Sequence, residues 1–100
     1  MNHPLFDYAQ AALDAAPPAW RSAARSAVLH LAATMPNGFD ADHVWRELED
    51  RRAPIPPEPR ALGGVLKSLS REGLIRKTGA YRESRRAVNH GRPIPVWRAA

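Results

Sequence analysis

The densest group of reactive side chains in the sequence is a run of cations near its C-terminal end. From Arg76 to Arg98 there are seven basic side chains against one acid, Glu83. A guanidinium group keeps its charge in every environment and binds phosphate oxygens through a planar fork of donors. Such a run can follow a phosphate backbone or insert an arginine into a narrow minor groove. The arginines expected to make these contacts are Arg82, Arg85, Arg86 and Arg92.

Some cations of this run have a simpler interpretation. Charged side chains on the edge strand of a sheet block unwanted pairing with other chains. We assign Arg76 and Arg98 to this role. Within the same run, Tyr81 and His90 add a hydroxyl and an imidazole that can donate hydrogen bonds.

Residues 58–72 carry a second group, whose members recur at spacings of three and four. On a helix, that spacing gathers side chains on one face. The apolar face consists of Leu62, Val65, Leu66 and Leu69. If these residues are buried, the exposed stripe consists of Arg60, Gly64, Lys67, Ser68 and Arg71.

Two interpretations of this stripe are open. Arginine and lysine reach guanine edges or phosphates in the major groove, and Gly64 would let the helix backbone approach DNA closely. Alternatively, the stripe is an ordinary solvated face, and Gly63 and Gly64 serve close packing between helices. The cations of residues 76–98 favour the first interpretation.

No arrangement of residues predicts a catalytic or metal site. The histidines are scattered, and only His43 and Glu47 have a metal-like spacing, which is typical of a surface contact when further ligands are missing. Asp40 and Asp42 fit helix capping better than paired catalytic carboxylates. The chain has no cysteine, which excludes disulfides and thiolate chemistry. We expect a protein that is not an enzyme and has no metal, cofactor or small-molecule ligand.

The composition is that of one small basic domain. The chain has 100 residues, and 15 Lys and Arg against 10 Asp and Glu give a net charge of +5. Residues 1–50 carry −4 and residues 51–100 carry +9, which indicates a face built for an anionic partner. No apolar run is long enough for a membrane span, and the N-terminus lacks the pattern of a signal peptide. The expected location is the cytoplasm of a cell or of an infected host.

Prolines and apolar spacing divide the chain into elements. Asp40 is a predicted N-cap, and Gly73 a predicted left-handed helix end. Two short extended segments around a polar loop at about 80–93 predict a hairpin. The predicted helices cover residues 4–15, 18–34, 40–51 and 58–72, and the predicted strands cover 74–78 and 94–97. The tryptophans fall on apolar stripes and are expected in the core: Trp20, Trp45 and Trp97.

This order of elements resembles the winged helix-turn-helix family over about residues 20–98. The stretch RALGGVLKSLSREGLI, residues 60–75, is similar to that family's recognition helix and its entry into the first wing strand. The ending HGRPIPVWR, residues 90–98, is similar to a returning wing strand. The chain is also similar to small helix-turn-helix proteins of bacteriophages and actinobacteria. The segment from Ala53 to Pro59 departs from the family because it is longer and richer in proline.

The resemblance implies a mainly α fold with a small β-hairpin (α+β), in which three core helices and a wing follow an extra N-terminal helix. The domains would be an N-terminal helical extension at residues 1–17 and a winged helix-turn-helix domain at 18–100. The apolar face of the N-terminal helix could cover the core or pair with a second subunit in a homodimer.

Together, the residues and the resemblance predict a double-stranded DNA-binding protein. Helix 58–72 would enter the major groove, and loop 80–93 would contact the backbone or the minor groove. The first expected use of this binding is transcription regulation. The other expected use is that of an accessory protein in phage excision, replication or packaging. The alternative is a protein-interaction module of the same fold that docks an acidic partner through its basic face. DNA needs Arg85, Arg86 and the stripe on one continuous face, whereas a docking protein needs only a patch.

Overall fold

The computed structural model describes residues 7–56 and 58–100. Over these residues it forms an α+β domain of four helices and one antiparallel hairpin, with a radius of gyration of 13.3 Å. The helices are α1 (Tyr8–Ala15), α2 (Pro18–Thr34), α3 (Ala41–Asp50) and α4 (Ala61–Arg71). The strands are β1 (Ile75–Glu83) and β2 (Pro93–Ala99), with one 3-10 turn (Ala87–Asn89) in the loop between them. The expectation of a mainly α fold with a small hairpin is confirmed. Within the described ranges, no helix is long and apolar enough to cross a bilayer.

Local signals set where the helices begin. The Asp7 side chain accepts a hydrogen bond from the Gln10 backbone N–H at 3.0 Å and caps α1. Residues 4–6 of the helix predicted at 4–15 lie outside the described residues. The predicted N-cap Asp40 is confirmed, because its carboxylate accepts from the His43 backbone N–H while the His43 ring accepts from the Asp40 N–H. This reciprocal pair satisfies two backbone donors that a helix start leaves free.

The fourth helix is shorter than predicted at its beginning. Glu58 accepts from the Arg60 backbone N–H through its carboxylate at 3.1 Å and from the Ala61 N–H through its carbonyl at 3.0 Å. These bonds form a turn before the helix, so α4 starts at Ala61. The predicted end is confirmed, since Gly73 has a φ of +78°, a left-handed conformation that glycine adopts without strain.

One hydrophobic core joins all four helices to the hairpin. Trp20, Phe39 and Ile75 are almost completely buried in it, at 0%, 0% and 1% exposure. Trp97 is also buried, whereas Trp45 is half-buried and packs against the core. The apolar face predicted for α4 is confirmed, because its four members are all buried: Leu62, Val65, Leu66 and Leu69.

The hairpin is longer than predicted. Its pairing runs from Ile75 opposite Ala99 to Glu83 opposite Pro93, so the loop spans residues 84–92 and Arg82 lies in a strand. The prediction failed because most of β1 is exposed, which leaves no alternation of apolar and polar residues. The segment between α2 and α3 adds a third short partner, because the backbones of Phe39 and Trp97 exchange hydrogen bonds at 2.9 and 2.8 Å.

Helix α1 packs across α4. Ala12 and Ala16 of α1 belong to the buried core, and Leu13 packs against it. Of the two roles predicted for the apolar face of this helix, the structure shows the first, covering the core of its own chain. A homodimer formed through α1 stays a prediction.

Candidate nucleic-acid interface

The basic members of the predicted α4 stripe are exposed, but the first residues of α1 contact them. Asp7 lies 3.6 Å from the Lys67 ammonium and 4.0 Å from the Arg71 guanidinium. Arg71 also donates to the Gln10 side-chain oxygen at 3.4 Å. The Arg60 guanidinium lies 5.3 Å from the centre of the Tyr8 ring, within cation–π range. The cations expected to face DNA therefore border helix α1.

Gly64 was predicted on the exposed stripe, and this prediction is wrong. Gly64 is buried, and a Cβ built on it would stand 2.6 Å from the Ala9 carbonyl oxygen and 2.8 Å from the Leu13 Cβ. The alternative interpretation, close packing between helices, is the one that the structure shows. Ser68 is half-buried and lines a cleft between α1, α2 and α4 with Leu13. Neither residue lies on an open face, because α1 occupies that side of α4.

The exposed side of α4 faces further towards the hairpin than the predicted stripe does. Lys67, Ser70 and Arg71 border a shallow depression of about 350 Å³ together with Lys77 of β1 and Trp97 of β2. None of the side chains that line it, in the part of the chain that the structure describes, is acidic. We call Lys67, Ser70, Arg71 and Lys77 the ridge. No role was predicted for Lys77 or Ser70, and the one signal for them in the sequence is that both lie close to the predicted helix end.

Two arginines of the hairpin are tied to acids in the first half of the chain. Arg82 donates to Asp40 at 3.2 Å, and this carboxylate is almost completely buried. Arg86 donates to Glu49 at 3.3 Å, and its guanidinium lies 5.1 Å from the centre of the Trp45 ring. These contacts hold the hairpin against α3 and its N-cap. They also neutralise part of the positive charge that the sequence concentrates here.

The start of the 84–92 loop is anchored to α3 by one carboxylate. Both Asp42 oxygens accept from the Ser84 hydroxyl, at 3.0 and 3.1 Å, and one also accepts from the Arg85 backbone N–H at 2.6 Å. Ser84 is buried, and its hydroxyl oxygen accepts from the Asn89 amide at 2.9 Å. The loop therefore starts from a fixed position.

Arg85 and Arg92 differ from the two tied arginines. Their side chains are exposed, and no side-chain hydrogen bond or ion pair joins either guanidinium to another group within residues 7–56 and 58–100. Arg85 borders a cleft of about 510 Å³ that also contains Asp40, Asp42 and Arg82, away from the ridge. The hairpin and α4 therefore present cations in two separate areas.

Arg76 and Arg98 stand directly opposite each other in the hairpin, and both are exposed. Like charges in this position repel one another and destabilise a strand pair. The predicted role, charge that protects an edge strand, is compatible with the placement of Arg76, because β1 lies at the edge of the sheet. Arg98 lies in β2, which pairs with β1 and, at Trp97, with Phe39.

A groove that the sequence analysis missed lies between α3, the start of α4 and the two strands of the hairpin. It has a volume of about 280 Å³, and among the described residues that line it the charged ones are Lys67 and Lys77. No spacing in the sequence signals this groove, because residues from four separate elements, α3, α4, β1 and β2, form it. Its apolar wall includes Trp45, Leu62, Leu66, Ile94, Pro95 and Trp97.

The predicted capping role of the acids beside α3 is confirmed for Asp40. His43, whose metal-like spacing to Glu47 predicts a surface contact and not a metal site, uses its Nδ1 to accept the Asp40 backbone N–H at 3.1 Å. In the part of the chain that the structure describes, no group of three or more acids, histidines or cysteines could hold a metal ion.

Comparisons with known proteins do not assign the chain to a family. No family model matches it, and no curated protein or solved structure is significantly similar to it.

Proposed function

We propose that this protein binds double-stranded DNA as a winged helix-turn-helix domain. In that arrangement α2, α3 and α4 are the core helices, and β1 and β2 form the wing. The backbone pairing of Phe39 with Trp97 supports this arrangement. It places a short extended segment between the first and second core helices, and this segment pairs with strand β2 of the wing. The observation that carries the proposal is the ridge, where α4 and β1 offer Lys67, Arg71 and Lys77 around one depression. Among the described residues no acid lines the depression itself, and Asp7 at the start of α1 contacts two of these cations.

Helix α1 limits how α4 can approach DNA. Two packed helices have axes roughly 8–10 Å apart, and a major groove is only about 12 Å wide. The α1–α4 pair cannot enter such a groove side by side. The ridge and the loop arginines form two separate areas, so the single continuous face expected for DNA is not formed. We propose that the ridge contacts one groove edge, while Arg85 and Arg92 of the loop contact phosphates at a separate point along the duplex. Transcription regulation, or a phage excision, replication or packaging accessory, is the proposed use.

Salt dependence of binding tests the proposal. Each phosphate neutralised releases a counterion, so five contacts give a log–log slope of roughly −4.5. The assay is fluorescence anisotropy of a labelled random duplex titrated with the protein at several salt concentrations. Lys67→Gln should reduce both the affinity and the steepness of the slope. Arg21→Gln removes one charge of α2, in the cleft beside α1, and should leave the slope unchanged. A parent slope near zero would contradict DNA binding.

The apolar groove favours a second candidate function, docking of a protein segment. Its charged residues are both cations, so the fitting partner is an acidic segment with one large apolar side chain. The groove volume is about 280 Å³, below the range of drug-sized pockets, roughly 300–1,000 Å³, which suits a single side chain. A peptide of glutamates around one phenylalanine should shift the fluorescence of Trp45 and Trp97 if this function is correct. An unchanged spectrum at millimolar peptide would reject it.

A further inference from the structure

We infer that Asp7 competes with DNA phosphate for the cations of the ridge, so that the first turn of α1 sets the protein's affinity for DNA. This inference rests on the proposed function. It assigns to α1 a regulatory contact in addition to its packing role.

The geometry places one carboxylate between two cations. One Asp7 oxygen faces the Lys67 ammonium at 3.6 Å, and the other faces the Arg71 guanidinium at 4.0 Å. A phosphate group also offers two oxygens that can bridge neighbouring cations. Asp7 therefore occupies the position in which a backbone phosphate would bind both side chains.

Asp7 is held in its charged form. The Gln10 backbone N–H and then the Lys67 ammonium keep the pKa of the Asp7 carboxyl below its ordinary value. The Gln10 contact is the N-cap of α1, so the same carboxylate starts the helix and faces the ridge. At neutral pH the ridge cations consequently face a full negative charge.

The contacts are weak enough for phosphate to replace them. The side chains of Lys67 and Arg71 are 53% and 62% exposed, and Asp7 is 36% exposed. Exposed ion pairs at such distances contribute little, because water and salt screen them. The ridge cations can therefore turn towards DNA without any change in the core.

The backbone of α1 stays in place during this exchange. Ala12 and Ala16 are buried, and the close contact of Gly64 with Ala9 fixes the crossing of α1 over α4. Ala16 and Pro17 are extended and lead directly into α2. The competition takes place between side chains on a fixed framework, and it does not need helix α1 to detach.

The test uses Asp7→Asn, which removes the charge and keeps a residue that caps helices equally well. Its matched control is Asp14→Asn, which makes the same change of net charge on the same helix. Asp14 accepts from the Gln10 side-chain amide at 2.9 Å and borders the cleft beside α2. Its link to the ridge is indirect, because Arg71 donates to the Gln10 side-chain oxygen and not to Asp14. Melting curves of the parent and both variants verify that α1 remains packed.

The readout is the dissociation constant of a labelled duplex of about 20 base pairs at low salt. Asp7→Asn should bind about three- to tenfold more tightly than Asp14→Asn. The gain should disappear when Lys67 and Arg71 are both replaced by methionine. If the parent binds the duplex and the two Asn variants have equal affinities, the inference is wrong and the proposed function is unaffected. Absence of duplex binding by all three proteins would overturn the proposed function and the inference with it.

Discussion

The carbonyl oxygen of Ala9 lies so close to Gly64 that the two helices leave no room for a side chain between them. A Cβ at position 64 would stand 2.6 Å from that oxygen, a separation at which backbone atoms must move. Gly63, one residue earlier, is different, because its Cβ would meet only the Ala9 Cβ, at 3.6 Å. Of these two adjacent glycines, Gly63 should therefore accept a side chain and Gly64 should not.

Alanine substitutions at these two positions should have opposite effects on stability. Gly63→Ala should stabilise the protein by up to about 1 kcal/mol, because alanine has the higher helix propensity. Gly64→Ala should destabilise it by roughly 1–3 kcal/mol, because the added methyl forces α1 away from α4. Urea denaturation of both variants measures the difference. Equal stabilities would show that α1 does not pack on α4 as described.

The anchor of the 84–92 loop predicts a local loss of order. Ser84→Ala removes the hydroxyl between Asp42 and Asn89 and should cost roughly 1–3 kcal/mol, because it leaves buried polar groups without a partner. Backbone amides of residues 84–92 should then exchange with deuterium faster than they do in the parent protein, whereas amides of the helices should exchange at the parent rate. Ser70→Ala, on the ridge, is the control and should change stability by less than about 0.5 kcal/mol. Unchanged exchange in Ser84→Ala would exclude the anchor.

Substitutions of two neighbouring arginines in the loop should have different effects: loss of Arg85 should weaken DNA binding, and loss of Arg86 should lower the stability of the fold. Arg85→Ala should weaken duplex binding and reduce the salt slope by about 0.9, the contribution of one phosphate contact, with melting unchanged. Arg86→Ala should lower stability by about 0.5–1 kcal/mol, because it loses its cation–π contact with Trp45. Anisotropy and melting curves on both variants distinguish these effects. If Arg85→Ala bound DNA like the parent, the loop would not be a phosphate contact.

The ion pair between Arg25 and Glu72 predicts a change of stability in acid. Arg25 donates two hydrogen bonds to Glu72, at 2.6 and 2.8 Å, and these hold the Glu72 pKa below its ordinary value. The pair therefore stabilises the fold above the unfolded-state pKa of this carboxyl, and the contribution is lost as pH falls through the lower folded-state pKa. The melting temperature of Glu72→Gln should fall less steeply in acid than that of the parent. Arg25→Met should reproduce this profile, and a parent-like profile in either variant would contradict the prediction.

Helix positions could be predicted because the sequence marks them locally. The predicted range 18–34 is the range of α2, since Pro18 can start a helix and Leu31 belongs to a regular apolar stripe. Such signals need only neighbouring residues. The open face of α4 could not be predicted in this way, because it depends on which flank α1 covers. The adjacent glycines allowed both a DNA approach and helix packing, and only the position of Ala9 decides between them.

Charge was the least predictable feature of the candidate site. The acids of the first half and the bases of the second half are separate along the chain, but folding brings them together. Asp7 meets Lys67, and Asp40 meets Arg82. Acidic and basic side chains that are separate along the sequence are therefore not separate on the surface of the folded protein. The cations that remain open could be identified only after these pairs were known.

The pairing of Phe39 with Trp97 also affects how the chain is made. These partners are more than half the chain apart, so their pairing closes a large loop, and we expect it to form late in folding. During synthesis, the helices emerge from the ribosome before β2 can cover Phe39, which is fully buried in the finished domain. A nascent chain that has not reached Trp97 exposes this ring and an unpaired backbone edge, and both are sites for aggregation or chaperone binding.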